Sequence, residues 1–421
     1  MRSRKGQRVS IDSRGPRIVL SLALVAGVGQ ALTLPRLSPE QVTLATDVYH
    51  YGARAALSGG DPYAVTPPGL STYYFLYPPV VLGAMLPYGL LDPDAVYAFQ
   101  TVLNLLTTAA IAVVLVRTIE QCGVDLGRPD RILVAAFAFA SAGAATNLIN
   151  GQVNPQLALG IAAGVLLVER GRETLGGTIL AVVATVKLFP ALVGAWLLRR
   201  RAWRAITAAV VTGAGLFLLG MVALGPDLTT AWASDALARE ASMGTFEGGP
   251  DPESNKVTVR RQIAVLAPWV SGDLLFPAGV ALLAPVVLAS YRSMATLRNR
   301  LVALQATLLA MLALMPLEPF YVSLVVFPSV PLLYLLEGRW PRRLYLPGFL
   351  LASAPVTMTT VTVWVKRVAP STGTAEAITA LARDAFFFAL PPMYGIWLML
   401  GACILFQHRQ AGGTDGRARA Q

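Results

Sequence analysis

Residues 175–198 read LGGTILAVVATVKLFPALVGAWLL, with Glu169-Arg170-Gly171-Arg172-Glu173 before them and Arg199-Arg200-Arg201-Ala202-Trp203-Arg204 after them. The stretch is apolar enough to cross a bilayer, yet Lys187 and Pro190 sit near its middle. A single crossing would put one basic flank on each side of the membrane, against the positive-inside rule. It would also strand the Lys187 ammonium near the bilayer centre, at a cost of about 2.5–3.5 kcal/mol. A hairpin of two half-helices keeps both flanks on the cytoplasmic side. Each arm then reaches roughly 18 Å at 1.5 Å per residue, so its tip stops inside the membrane zone. Such a tip is tolerated only against protein or a water-filled cavity. The sequence therefore predicts a re-entrant hairpin with Lys187 at its tip and a polar vestibule open to the outside.

The rest of the chain fits that frame. Of its 421 residues 55% are hydrophobic and 14% charged, and the mean hydropathy is +0.58. Soluble domains carry about 25% charged residues, so soluble and disordered classes are excluded and an all-α polytopic membrane protein remains. Simple spans are predicted at Ile18–Leu34, Asp94–Val116, Ile132–Leu148, Pro155–Val168, Ala205–Leu224, Leu274–Tyr291, Leu301–Leu317, Tyr321–Leu336, Leu344–Val365 and Ala385–Phe406. Leu76–Leu91, with Pro78, Pro79 and Pro87, reads as a re-entrant or surface helix. With both N- and C-termini cytoplasmic, 24 of the 34 Lys and Arg and 8 of the 23 Asp and Glu fall inside. The net charge of +11 thus divides into +16 inside and −5 outside. That division accounts for the basic balance without nucleic acid as a partner. The basic N-terminus, 1–17, leads into an uncleaved first span. Cys122 and Cys403 are not placed to pair, and two histidines cannot build a His or His/Cys zinc site.

The outer loop 35–93 carries the densest set of polar residues. Asp47, Tyr51 and Arg54 fall at i, i+4 and i+7, on one face of a short helix. Gly59-Gly60 ends that helix, and Asp61-Pro62-Tyr63 starts a turn. His50 is read as lying on a different face from Asp47 and is set aside. Read alone, this is a capped juxtamembrane helix with interfacial aromatics, or the floor of a site. Asn150, Gln152 and Asn154 lie at a tight outer turn, where they either cap helix ends or bind a ligand.

Asp47-x-Tyr49, Ala53-Arg54-Ala55, Gly59-Gly60-Asp61-Pro62-Tyr63 and Phe75-Leu76-Tyr77-Pro78-Pro79 together resemble glycosyltransferase family 87. The resemblance continues through Gly151-Gln152-Val153-Asn154, Val186-Lys187-Leu188-Phe189-Pro190 and the arginine run from Arg199. It covers the first half of the chain in motif order; beyond residue 225 it is mainly hydropathy. It implies a GT-C class enzyme with about 10–12 transmembrane helices, a re-entrant hairpin and outer juxtamembrane helices. The organisation implied is a cytoplasmic N-terminus 1–17, a catalytic module 18–224, an outer loop 225–273, C-terminal transmembrane helices 274–406 and a cytoplasmic tail 407–421.

The activity implied is transfer of a sugar, mannose in this family, from a polyprenyl-phosphate donor to an outer-face acceptor (glycolipid, glycan or glycoprotein) in the plasma membrane. Asp47 occupies the position of the general base, in a single inverting displacement. The leaving phosphate needs cationic or hydrogen-bonding support, for which Lys187 stands first and Arg260-Arg261 second. Asp61, Tyr63, Tyr77, Gln152 and Asn154 are the further donor or acceptor contacts. Each has a plain alternative: a turn residue for Asp61, an interface anchor for Tyr77, a snorkelling cation for Lys187. Pro316-Leu317-Glu318-Pro319-Phe320-Tyr321 stands where the family often has a Trp/His-rich stretch, so either Glu318 or Tyr321 replaces that function in acceptor binding or the acceptor differs. The scheme requires no metal and no cofactor. The rival reading, a transporter or flippase of lipid-linked sugars, leads one to expect repeated halves, and none is visible.

Overall fold

The computed structural model describes residues 13–242, 244–246 and 249–418; residues 1–12 of the basic N-terminus and 419–421 of the tail lie outside them. The described residues are helices joined by turns, with no strand and one isolated bridge, Val257–Leu317. Six helices are long and apolar enough to cross a membrane, or up to eight if two bent pairs each count as one span. Of the ten simple spans expected, Pro155–Val168 and Tyr321–Leu336 fall in shorter apolar helices, Asn154–Glu169 and Pro319–Leu335; two more short apolar helices, Pro79–Leu90 and Glu173–Val186, fall in the stretches read as re-entrant.

Two expected spans are broken. Leu344–Val365 divides into Arg339–Ser353 and Met358–Val368, bent by 84°, and Ala385–Phe406 into Thr372–Phe388 and a helix starting at Pro391, bent by 46°. A proline follows each break. Pro355 pushes the preceding residue, Ala354, out of the α region, and Ala354 is extended; at the second break Ala389 is extended, and Pro391 begins the next helix after Leu390.

The chain divides into two compact units. The first comprises Gln30–Thr108 and Ala144–Met243 and contains the 175–198 stretch. The first arm, Glu173–Val186, leaves helical geometry at Lys187 (φ −135°, ψ 125°). The chain then returns through a 3-10 turn, Phe189–Leu192, and a return arm, Val193–Arg200. Two contacts establish the reversal. Arg200 Nε lies 3.5 Å from Glu169 Oε1, at the foot of the first arm. Gly177 lies directly on Ala205, where a Cβ would come 2.0 Å from the Ala205 carbonyl. The first arm and the flanking helix Trp203–Leu224 therefore start at the same end, with the arginines, and Lys187 is at the other. Glycine makes this packing possible: Gly164 and Gly176 meet at backbone distance between Asn154–Glu169 and the first arm. Such close approach is how helices associate where lipid offers no hydrophobic drive.

In the same unit the loop helix, Leu44–Leu57, ends as its glycines require. Gly59 takes φ +77°, and the Gly60 and Gly59 amides donate to the carbonyls of Ala55 and Ala56, which closes the last turn. The segment after residue 225 is not a bare loop. It forms Pro226–Ala231, a π turn Trp232–Ala236 and Leu237–Ser242. Trp232 Nε1 donates to the Leu76 carbonyl (3.1 Å) and Arg239 Nη1 to that of Tyr63 (2.6 Å), tying it to the 60–78 loop.

The second unit comprises Met1–Gly29, Ala109–Gly143 and Gly244–Gln421. Its centre is Leu297–Leu314, 83% buried over its apolar window. Helix Arg339–Ser353 packs on the last helix, Pro391–Ala418, through Gly348 and Gly395. At one end the buried Asp130 carboxylate receives Arg17 (2.8 and 2.9 Å) and Tyr334 (3.3 Å).

Candidate active site

The site is organised by the turn from Gly151 to Asn154. Gly151 has φ +70°, and a Cβ there would come 2.5 Å from Thr46 Cγ2. The first turn of the loop helix thus sits directly on this turn, and the Thr43 amide donates to the Ile149 carbonyl (3.0 Å). Gly151→Ala would combine a left-handed strain with that clash, an expected loss of about 1–3 kcal/mol, read as a lower Tm in detergent.

Thr43 itself is left-handed (φ 60°, ψ −2°), which is uncommon for a β-branched residue. The conformation turns its hydroxyl onto Asp47, donating to Oδ2 at 2.7 Å. Asp47 is half-buried. Burial pushes its carboxyl above the usual carboxylate range; the Thr43 hydrogen bond and the His50 charge oppose this, and Asp94 adds to it. A carboxylate held this way is a stronger proton acceptor than a solvated one.

Lys187 approaches the same turn. Its Nζ donates to Asn154 Oδ1 (2.9 Å), and Asn154 Nδ2 donates to Asn147 Oδ1 (2.8 Å). Both asparagines are fully buried. The ammonium lies 5.9 Å from the centre of the Tyr77 ring, within cation–π range. Tyr77 Oη is 2.9 Å from Tyr49 Oη, which also donates to Gln152 Oε1 at 3.2 Å. Tyr63 Oη donates to the Tyr77 carbonyl (3.1 Å). One hydrogen-bonded set therefore joins Tyr63, Tyr77, Tyr49 and Gln152, and Lys187, over the Tyr77 ring, brings in Asn154. Asp61 is exposed, and its Oδ1 accepts the Tyr63 amide at 2.8 Å, so it builds the turn that seats Tyr63.

The sequence model of glycosyltransferase family 87 matches residues 75–328. The chain belongs to glycosyltransferase family 87. It is a membrane glycosyltransferase. The match begins after Asp47, Asp61 and Tyr63 and includes Tyr77, Gln152, Asn154 and Lys187. It also extends past residue 225 over Arg260, Arg261, Glu318 and Tyr321, further than the motif resemblance reached. No curated protein matches the sequence.

Those last four residues of the family 87 chain lie in the other unit, and they differ in what they are free to do. Arg261 is 1% exposed, and its guanidinium donates to the carbonyls of Phe386 (3.0 Å), Asp251 (2.9 Å) and Ser254 (2.7 Å). It ties the 251–254 segment to helix Thr372–Phe388. The Nε of each arginine is without a hydrogen-bond partner, but Arg260, also buried, has its guanidinium on the Phe276 ring at 4.9 Å instead of on backbone carbonyls. Burial lowers the pKa of both. A buried cation without an anion is costly, so of the two Arg260 is the one fit to meet an anionic ligand. Glu318 pairs with Lys256 (3.4 Å), and Tyr321 stacks on Phe320 at 4.7 Å.

Three residues of this family 87 site escape sequence reasoning. Tyr49 and Asn147 are linked to Tyr77 and Asn154 only by the fold. His50 was recoverable: three residues on is about 300° around a helix, so it lies about 60° from Asp47, and the Asp47 carboxyl does feel its charge. Its Nδ1 lies 3.0 Å from the Tyr88 carbonyl and so carries the proton, while Nε2 is buried without a partner.

Proposed function

We propose that the enzyme transfers a sugar, mannose by the family resemblance, from a polyprenyl-phosphate donor to an acceptor hydroxyl on the outer face of the plasma membrane. The observation that supports this reading is that a carboxylate with raised pKa and an ammonium are both tied to the 149–154 segment, Asp47 through Thr43, whose amide donates to the Ile149 carbonyl, and Lys187 through Asn154. In the reaction the acceptor oxygen bonds to the anomeric carbon while the bond from that carbon to the phosphate oxygen breaks. Asp47 takes the acceptor proton, and the electron pair leaves with the lipid phosphate. Attack opposite the leaving group inverts the anomeric centre. Lys187 supports the charge that develops on the phosphate. Gln152 and Asn154 hold the donor headgroup. Both termini are then cytoplasmic.

The test is reconstitution of the purified chain with polyprenyl-phosphate mannose and an envelope glycolipid extract. The expected result is a mannosylated product of inverted configuration from the lipid donor and none from a nucleotide sugar. Product from the nucleotide sugar alone would overturn the donor assignment, and movement of the lipid across the bilayer with no product would favour a flippase.

A further inference from the structure

An open-sided cavity of about 420 Å³ lies in the hairpin unit, lined by the first arm, the return arm, the flanking helix Trp203–Leu224, Pro78-Pro79 and Trp232. That volume falls within the range of small-ligand sites. Among its lining residues Thr185 and Trp232 are the ones with polar side-chain atoms, and both atoms are already engaged. Thr185 Oγ1 donates to the Ala181 carbonyl (2.9 Å) and Trp232 Nε1 to that of Leu76 (3.1 Å). The cavity therefore has no free side-chain hydrogen bond to give, and hydrocarbon is what its walls recognise.

Its position narrows the occupant. Leu188 and Pro190 line it, immediately past Lys187; Pro78 and Pro79 line it, immediately past Tyr77. The polar set that holds the Lys187 ammonium and the apolar cavity are thus consecutive along two separate segments. Together they match a molecule with an anionic head joined to a hydrocarbon chain. The flanking helix that forms one wall is only 11% buried over its apolar window, so a chain can enter from the lipid side.

We propose that this cavity binds the first isoprene units of the donor's polyprenyl chain, with the phosphate directed to Lys187. The assignment rests on reading the donor as a polyprenyl-phosphate sugar. Two wall residues make it testable without disturbing the fold. Gly194 and Gly213 both line the cavity, and a Cβ at either meets nothing within 4 Å. Both lie within helices, where replacing glycine favours the helix. Gly213→Leu and Gly194→Leu should therefore fold and fill the cavity.

The experiment has two arms. In the first, a polyprenyl phosphate with a diazirine in its second isoprene unit is photolysed with the full-length protein in nanodiscs. Adducts are expected on residues 180–198 and 206–217, reduced at least tenfold in Gly213→Leu and competed by unlabelled polyprenyl phosphate. In the second, the donor KM is expected to rise at least tenfold in either variant while kcat at saturation stays within about threefold. Equal labelling by a diazirine diacyl phospholipid that polyprenyl phosphate does not displace would make the cavity a bulk-lipid niche and overturn the proposal. So would an unchanged KM together with unchanged labelling. The photolysis arm needs no turnover, so a wild-type protein that labels but makes no product counts against the proposed function and leaves the cavity assignment standing.

Discussion

Asp47→Asn is expected to reduce transfer by about 100- to 10,000-fold, the range for loss of a general base, with little change in Tm. The side chain keeps its shape, and its oxygen can still accept the Thr43 hydroxyl that now sits 2.7 Å from Oδ2. Burial already disfavours the charged form of Asp47, so neutralising it removes a strain on the fold. What is lost is the proton acceptor. Thr43→Val gives a companion test with a definite sign. The Thr43 hydrogen bond holds the carboxyl pKa down against burial, so its removal lets that pKa rise further. A base works only when ionised, so the acid limb of kcat/KM should move to higher pH in Thr43→Val, with the alkaline plateau largely kept. Wild-type transfer by Asp47→Asn in a stably folded sample would exclude Asp47 as the base.

The parts of the fold that could be read from sequence are those where charge and backbone rules act on neighbours. The arginine flanks and Lys187–Pro190 predict the hairpin, and the Glu169–Arg200 contact with Gly177 on Ala205 bears it out. Gly59-Gly60 predict the end of the loop helix for the same local reason. The broken spans carry their signal too, in Pro355 and Pro391, but hydropathy averages over it. The helical segment after residue 225 was obscured by its polarity, because its anchors, Trp232 on Leu76 and Arg239 on Tyr63, are more than 150 residues away in sequence.

The candidate site divides along the same line. Asp47 and Lys187 stand out by type and place, whereas the pairing of Tyr49 with Tyr77 and of Asn147 with Asn154 is created by tertiary packing. Arg260 and Arg261 are indistinguishable as sequence. Only the fold gives Arg261 three backbone carbonyls and sets Arg260 on the Phe276 ring.

Lys187→Met is expected to lower kcat by about 100- to 1,000-fold, the usual effect of removing one group that stabilises charge in the transition state. Lys187 stands at the C-terminal end of the first arm, where the helix dipole favours a cation, and its ammonium reaches Asn154 and the Tyr77 ring. Methionine keeps the length and apolar stem but leaves the buried Asn154 Oδ1 without its donor. That costs about 1–3 kcal/mol, so a lower Tm is also expected. Lys187→Arg separates the two effects: it restores a cation and a donor, so it should recover Tm and a substantial part of kcat. Leaving-group chemistry offers the sharper check. If Lys187 supports the departing phosphate, a donor with a less basic leaving group needs that support less, and the ratio of wild-type to Lys187→Met rates should fall towards one. A purely structural lysine would lower the rates with both donors by the same factor, and that result would remove Lys187 from the chemistry.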